Sequence, residues 1–427
     1  MTKPMLKIHR FLIVKLIVTL ILLNNGKILL AQDYDILIKN AHIIDPKNEI
    51  DQKMDLAIAD GKIAKVSPSI QDNSAKTTVD ATGLYITPGI IDMHAHLFWG
   101  TEQGSYISNS YASLPPDGFT FRSGVTTVVD AGSSGWRNFR TFKEQTIDNS
   151  STRVFAFLNI VGPGMKGGAV EQNLGDMDPK LTAIVAKQYA DVIVGIKLAH
   201  YSGPEWDPLI RTVEAGKLAD IPVMIDFGGN DPQLSLERLF LEELRPGDIF
   251  THCFAHVRGR TAIVDDNGKV RPYVWEAQKR GIVFDVGHGG GSFVWDQAIP
   301  ATEQGFLPNS ISTDLHTGSM NAGMKDMLNI MSKFLNMGMS LNEVIAISTW
   351  YPAKYIKHEE LGHLSEGAVA DIAVLSLKEG DFGFADVRGK KMRGTQKLEC
   401  ELTVLGGKVV YDLNGISLPE WQAAVEK

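Results

Sequence analysis

Gly83-Leu84-Tyr85-Ile86-Thr87-Pro88-Gly89-Ile90-Ile91-Asp92-Met93-His94-Ala95-His96 is an apolar stretch that runs straight into two histidines. Residues 86–93 read as a buried strand, because a strand covered on both faces shows a continuous apolar run rather than alternation. His94 and His96 stand at its carboxyl end. Residues two apart on a strand point to the same side, so the two imidazoles would lie next to each other, as a pair of metal ligands does. An H-x-H triplet alone carries little weight; its surroundings add to it.

Outward from this stretch, apolar runs recur at 125–131, 154–160, 192–198, 221–227, 248–254, 282–286 and 310–315, each followed by a helix-like segment. With residues 86–93 they make eight βα units, which predicts an α/β fold with a (β/α)8 TIM-type barrel over residues 88–364. A doubly wound sheet is the competing architecture, but no G-x-G-x-x-G follows the first strand. Both ends of the chain have a different texture. Short alternating runs at 34–39, 41–44 and 55–58, with Asp60-Gly61 as a hairpin turn, are matched by runs at 370–375, 401–405 and 408–411, with Gly406-Gly407 as another. Residues 32–87 and 365–415 are therefore expected to form one small β-sandwich module beside the barrel, since chain ends often lie close together. Two long loops, 98–118 and 161–179, follow the first and third barrel strands, where long loops usually cover an active site.

Polar residues sit where barrel enzymes keep their chemistry, at the carboxyl ends of strands. Lys197 ends one apolar run, His252 another, His288 follows a third and Asp314 closes the last. A lysine inside an apolar strand is costly unless neutralised or paired. Five strand ends bearing His, Lys or Asp are hard to explain as packing.

With these residues in view, the opening stretch resembles the first barrel strand of the amidohydrolase superfamily. The segments 124–138 (GVTTVVDAGSSGWRN), 248–254, 286–293 (VGHGGGSF) and 312–316 (STDLH) resemble its deacetylase-type branch, which is related to dihydroorotases. The resemblance spans nearly all of the chain after its first residues. It implies that His94 and His96 hold a buried divalent metal with Asp314. It implies a CO2-derived carbamate on Lys197 bridging to a second metal, which His252 also binds. Asp314 would carry the proton between water and leaving group, and His288 would lie near the substrate. One or two metal ions are implied, zinc first, with manganese or iron open because availability often decides. The fifth strand of this family usually ends in a histidine; here the matching position is Asp226. A carboxylate also binds zinc, so Asp226 is taken as the second-metal ligand at the cost of an extra negative charge. A weakly held or missing second metal, and a reach-in by His200, stay open beside it, His200 being read first as an ordinary loop histidine. Dihydroorotases typically carry an arginine two residues after H-x-H, and this chain has Phe98.

The expected activity is hydrolysis of an amide or ester bond of a small molecule, an acetyl group first, by a metal-activated hydroxide. Opening of a cyclic amide, as in dihydroorotases and hydantoinases, is the alternative. A non-catalytic exported binder is a third reading, opposed by the presence of both Lys197 and Asp314. The glycine-rich run 287–291 lacks the G-K-[ST] of a phosphate loop and reads as a place for close backbone approach.

The 427 residues are 44% hydrophobic and 22% charged, with a formal net charge of −8, so there is no basic footprint for nucleic acid. Lys3, Lys7 and Arg10 precede an apolar run at 11–23, with Ala31 beyond it, in the order of a cleaved secretory signal over residues 1–31. A membrane anchor is the competing reading, but the run is short for a span of about 20 apolar residues and Lys15 interrupts it. These residues hold five basic side chains and no acid, so their removal takes the formal charge to −13. A periplasmic or secreted enzyme with no stable membrane span is expected. Cys253 and Cys400 fall in different predicted units and read as two buried free thiols.

Overall fold

The computed structural model describes residues 33–100, 109–110, 112–226 and 229–421. The expected signal segment, 1–31, lies outside them. Among the described residues no helix is long and apolar enough to cross a membrane.

The amino-terminal strands are β1 (Tyr34–Asp45), β2 (Ile50–Ala59), β3 (Lys62–Ser67), β4 (Ala75–Asp80) and β5 (Tyr85–Pro88). From the other end come β13 (Ile372–Ala385), β14 (Lys391–Leu405) and β15 (Lys408–Asp412). They join in one eight-stranded sheet, β15-β14-β13-β5-β1-β2-β3 with β4 on β1. β5 pairs with both β1 and β13, and so ties the two chain ends together. Ile38, Ile43, Leu56 and Ile58 share a core with Ile372, Val374, Leu402 and Val404. The two runs expected at 34–39 and 41–44 are one strand. Asn40, in the left-handed region (φ 63°), bulges out between them, and its N–H donates to Asp55 Oδ1 at 2.9 Å. Asp60-Gly61 and Gly406-Gly407 make the expected turns.

The barrel strands are β6 (Ile90–Ala95), β7 (Val125–Gly135), β8 (Arg153–Asn159), β9 (Ile193–Leu198), β10 (Val223–Ile225), β11 (Ile249–Phe250) and β12 (Val283–Phe284). They pair in chain order, all parallel. The strand expected at 86–93 divides at Gly89, where the chain passes from the end sheet into the barrel. A Cβ on Gly89 would come within 2.2 Å of Thr126 Oγ1. The eighth strand, expected at 310–315, is reduced to two parallel bridges, Ser310 to Asp285 and Leu315 to Ala95. These bridges close the ring between β12 and β6. Between them Asp314 takes a left-handed conformation (φ 50°), which no regular strand accommodates.

Inside the ring, Ile91, Met93, Val129, Phe155, Phe157, Val194, Met224, Ile249 and Val283 fill the lower layers. Two register slips decide what lies above them. The β6–β7 pairing shifts between Asp92 and Ala95, and the β8–β9 pairing shifts between Ala156 and Phe157, opposite Gly195. Each adds a residue to one strand, and such a bulge re-aims the side chains beyond it. His94 and His96 consequently face the same interior as Ile91 and Met93, and Lys197 the same interior as Val194.

Candidate metal centre

A cavity of about 430 Å³ opens at the carboxyl ends of the barrel strands. His94, His96, Lys197, His200, Asp226, His252, Asp314 and His316 line it, with Arg258 and Arg260. Among the described residues, one set of metal-binding side chains has donor atoms all within 4.8 Å of one another: His94, His96 and Asp314, all buried. Asp314 Oδ1 lies 2.9 Å from His96 Nε2 and 3.5 Å from His94 Nε2. Lys197 Nζ is 3.5 Å from His94 Nε2.

The tautomers follow from the hydrogen bonds behind the rings. Thr251 Oγ1 donates to Asp285 at 2.7 Å, so it accepts from His94 Nδ1 at 2.8 Å. His252 Nδ1 donates to the Gly287 carbonyl at 2.6 Å. In the neutral form of each ring this leaves Nε2 as the lone pair aimed into the cavity, the arrangement that outer partners impose on metal-binding histidines. Burial first, then the neighbouring Lys197 and His252, hold His94 well below the ordinary imidazole pKa. The Asp314 carboxyl is raised by burial, but His96 and the other imidazoles outweigh this and keep it below its usual value. Two imidazoles and an ionised carboxylate are a fitting donor set for a divalent metal such as zinc.

Lys197 is 1% exposed. Burial lowers its pKa, against the pull of Asp226, Asp314, Asp285 and Asp130. Asp226 stands at the end of β10. Its Oδ2 lies 3.4 Å from His252 Nε2 and 3.5 Å from His200 Nε2, and its Oδ1 lies 3.8 Å from Arg260. Burial raises this carboxyl, but His252, His200 and Lys197 drive it well below the usual range. The extra negative charge expected at this position is thus met by a buried guanidinium, which also donates to the Thr251 and His252 carbonyls.

Two expectations change. His200 is not an idle loop residue: it lines the cavity, with Nε2 towards Asp226 and Nδ1 donating to Glu171 Oε2 at 2.8 Å. Partial desolvation lowers its pKa, weakly for a side chain that stays 49% exposed, and Glu171 and Asp226 outweigh it and raise the value to about 9. His288, expected near the substrate, is not on the cavity wall. It is fully buried, stacks on Phe293 at 4.5 Å, donates from Nδ1 to the Gly289 carbonyl, and accepts from Lys333 Nζ at 2.6 Å. The physical reason is the turn at Gly287 and Gly289 (φ 46° and 54°), which brings backbone, not imidazole, to the metal-binding side chains. Lys333 also donates to the Gly323 and Ala385 carbonyls, and so fastens the barrel to β13. Lys333→Met should therefore destabilise the fold by roughly 2–4 kcal/mol, since it strands buried acceptors that each cost about 1–3 kcal/mol unpaired. Chemical denaturation checks this; an unchanged midpoint would show that these acceptors find other donors.

His316, whose Nε2 is 3.7 Å from Asp314 Oδ2, stood apart in the sequence only by lying two residues from Asp314. Arg260 and Glu171 gave no sequence signal, because neither ends a strand: Arg260 comes from a loop and Glu171 from a short 3-10 helix, Gly168–Gln172. Cys253 and Cys400 are buried and unbridged.

Comparison with known proteins is consistent with this geometry. Residues 295–410 match the amidohydrolase family. The chain is 34% identical over 358 residues to a deacetylase of Brucella anthropi, covering 82% of this chain and 86% of that one. Among solved structures it is similar to an adenine deaminase (TM-score 0.78, 28% identity, 89% of this chain and 100% of the other). It is also similar to a dihydroorotase (TM-score 0.77, 30% identity, 88% and 99%).

Proposed function

The chain belongs to the amidohydrolase superfamily, in its deacetylase branch, and from that premise we propose that it removes an acyl group, acetyl first, from an amide or ester of a small molecule. It is a metal-dependent hydrolase; zinc, the carbamate and the acetyl group are our reading. The observation that carries it is the convergence of His94, His96 and Asp314 beside a buried lysine in one open cavity.

His94, His96 and Asp314 would hold one divalent ion, and Lys197, Asp226 and His252 a second. When bound, such an ion polarises a carbonyl and lowers the pKa of water to about 7. The residues themselves do the rest. Lys197, with its ammonium form disfavoured by burial, is the amine that reacts with CO2: nitrogen attacks carbon, one N–H proton leaves to solvent, and an anionic carbamate remains. Asp314, ionised and at the cavity wall, accepts the proton of the attacking water and returns it to the departing nitrogen or oxygen. Thr251, the Gly287 carbonyl and Ser133, whose Oγ is 3.4 Å from His96 Nδ1, orient the three imidazoles.

Protein purified without chelators, analysed for metal and offered N-acetyl amino acids, acetylated hydroxy acids and cyclic ureides, tests the reading. Acetate release that disappears on metal removal and returns with zinc is expected. Faster turnover of the cyclic ureides would favour ring opening, the chemistry named for the dihydroorotase relatives. We also place the enzyme outside the cytoplasm, from the basic-then-apolar order of residues 1–31. Protein recovered from its host should begin near Gln32, and an intact Met1 would sink this.

A further inference from the structure

The usual ligand set of this site has no place for His200, yet its imidazole is held as a ligand would be. We infer that His200 is a ligand of the second metal ion, supplying with its Nε2 the imidazole that Asp226 displaces. This rests on the reading above that Asp226 and His252 bind a second ion.

Three observations carry it. One carboxylate oxygen, Asp226 Oδ2, sits 3.5 Å from His200 Nε2 and 3.4 Å from His252 Nε2. The two rings therefore address the same oxygen from two different strand ends, β9 and β11, though they stand wider apart than the donors of His94, His96 and Asp314 do, so a shared ion would draw them together. The other oxygen faces Arg260 at 3.8 Å, which leaves Oδ2 free for the shared position.

Behind His200, Glu171 is 1% exposed and accepts from Nδ1 at 2.8 Å. A buried carboxylate behind one nitrogen of an imidazole, with the other nitrogen aimed into a cavity, is the carboxylate–histidine–metal pattern. Glu171 does for His200 what the Gly287 carbonyl does for His252 and Thr251 for His94.

The backbone is the third observation. His200, His252 and Asp314 all take left-handed conformations, with φ of 57°, 57° and 50°. Non-glycine residues seldom do this, and where they do the surrounding structure must hold them there. At His200 the holding groups are visible: Gln172 Nε2 donates to the His200 carbonyl at 2.7 Å, and Gln172 Oε1 accepts from the Ser202 N–H at 2.9 Å. The same twist at the end of a barrel strand turns each of these three side chains into the cavity.

Zinc takes two imidazoles and a carboxylate readily. An aspartate from β10 plus a histidine from the end of β9 thus replaces one histidine from β10, and Arg260 offsets the added charge.

The test is metal binding, not turnover. Protein stripped with chelator is titrated with zinc and, after dialysis, its metal content is measured. Parent, His200→Asn and Asp226→Ala are compared. Asparagine tolerates the left-handed backbone but is too short to bring a donor to the His200 Nε2 position; circular dichroism confirms the fold. The parent should hold two ions. His200→Asn should keep the first at parent affinity and bind the second at least about 10²-fold more weakly, the upper end of what losing even an outer partner costs. Two ions at parent affinity in His200→Asn, with one lost in Asp226→Ala, would overturn the role of His200 and leave the second site standing. One ion in the parent and in both variants would remove the second site itself, and this inference with it.

Discussion

Asp314→Asn should fold, bind metal, and lose roughly 10²-fold or more of its turnover, the usual contribution of a positioned general base. The amide keeps the shape of the carboxylate but cannot take a proton. Asp314 is placed for the task on three counts. Its Oδ1 contacts His96 at 2.9 Å, so the group is fixed. Its Oδ2 lies 3.7 Å from His316, on the side that faces the open cavity. Its pKa is held below the usual value by those imidazoles in spite of burial, so it is ionised and ready to accept at neutral pH. The measurement is kcat together with metal content. A drop in kcat at full metal content identifies the proton carrier. A drop that merely tracks lost metal makes Asp314 a ligand only. Near-normal turnover would hand the proton to another group, with His316 the first candidate by distance.

Gly289→Ala should cost about 10²-fold in kcat/KM, the penalty a displacement of about 1 Å can impose on a positioned group. A Cβ at this position would lie 2.2 Å from Asp314 Oδ2. One of the two must move. The backbone there has φ 54°, which alanine resists, so relief by backbone rotation also acts on the turn that carries His288 and on the Gly287 carbonyl behind His252. Gly118→Ala, where a Cβ meets nothing within 4 Å, is the control and should leave kcat/KM unchanged. Parent-like kinetics in Gly289→Ala would mean that Asp314 has room to swing away and that its position is not held by this turn.

Much of the architecture was legible in the residues themselves. Seven of the eight apolar runs become or contain barrel strands, because a parallel strand buried on both faces has no alternative to a continuous apolar pattern. The end sheet was legible from alternation and from Asp60-Gly61 and Gly406-Gly407, since few residue pairs make a two-residue turn. His94, His96, Lys197, His252 and Asp314 were legible because a polar residue ending an apolar strand is expensive unless it has work to do.

Tertiary structure alone decided the rest. Strand alternation cannot reveal the slips near Asp92 and Gly195, yet these determine that His94, His96 and Lys197 point inward. Nothing local says that His200 would turn into the cavity while His288, at an equally suggestive position, would turn away. The first depends on Glu171, 29 residues earlier, and the second on Lys333, 45 residues later. The closure of the barrel by two bridges around Asp314 likewise depends on partners on β6 and β12. Periodicity records which side chains must be buried, because water acts on each residue where it stands. Which way a buried polar group faces is settled by the partner that satisfies it, and that partner can come from any part of the chain.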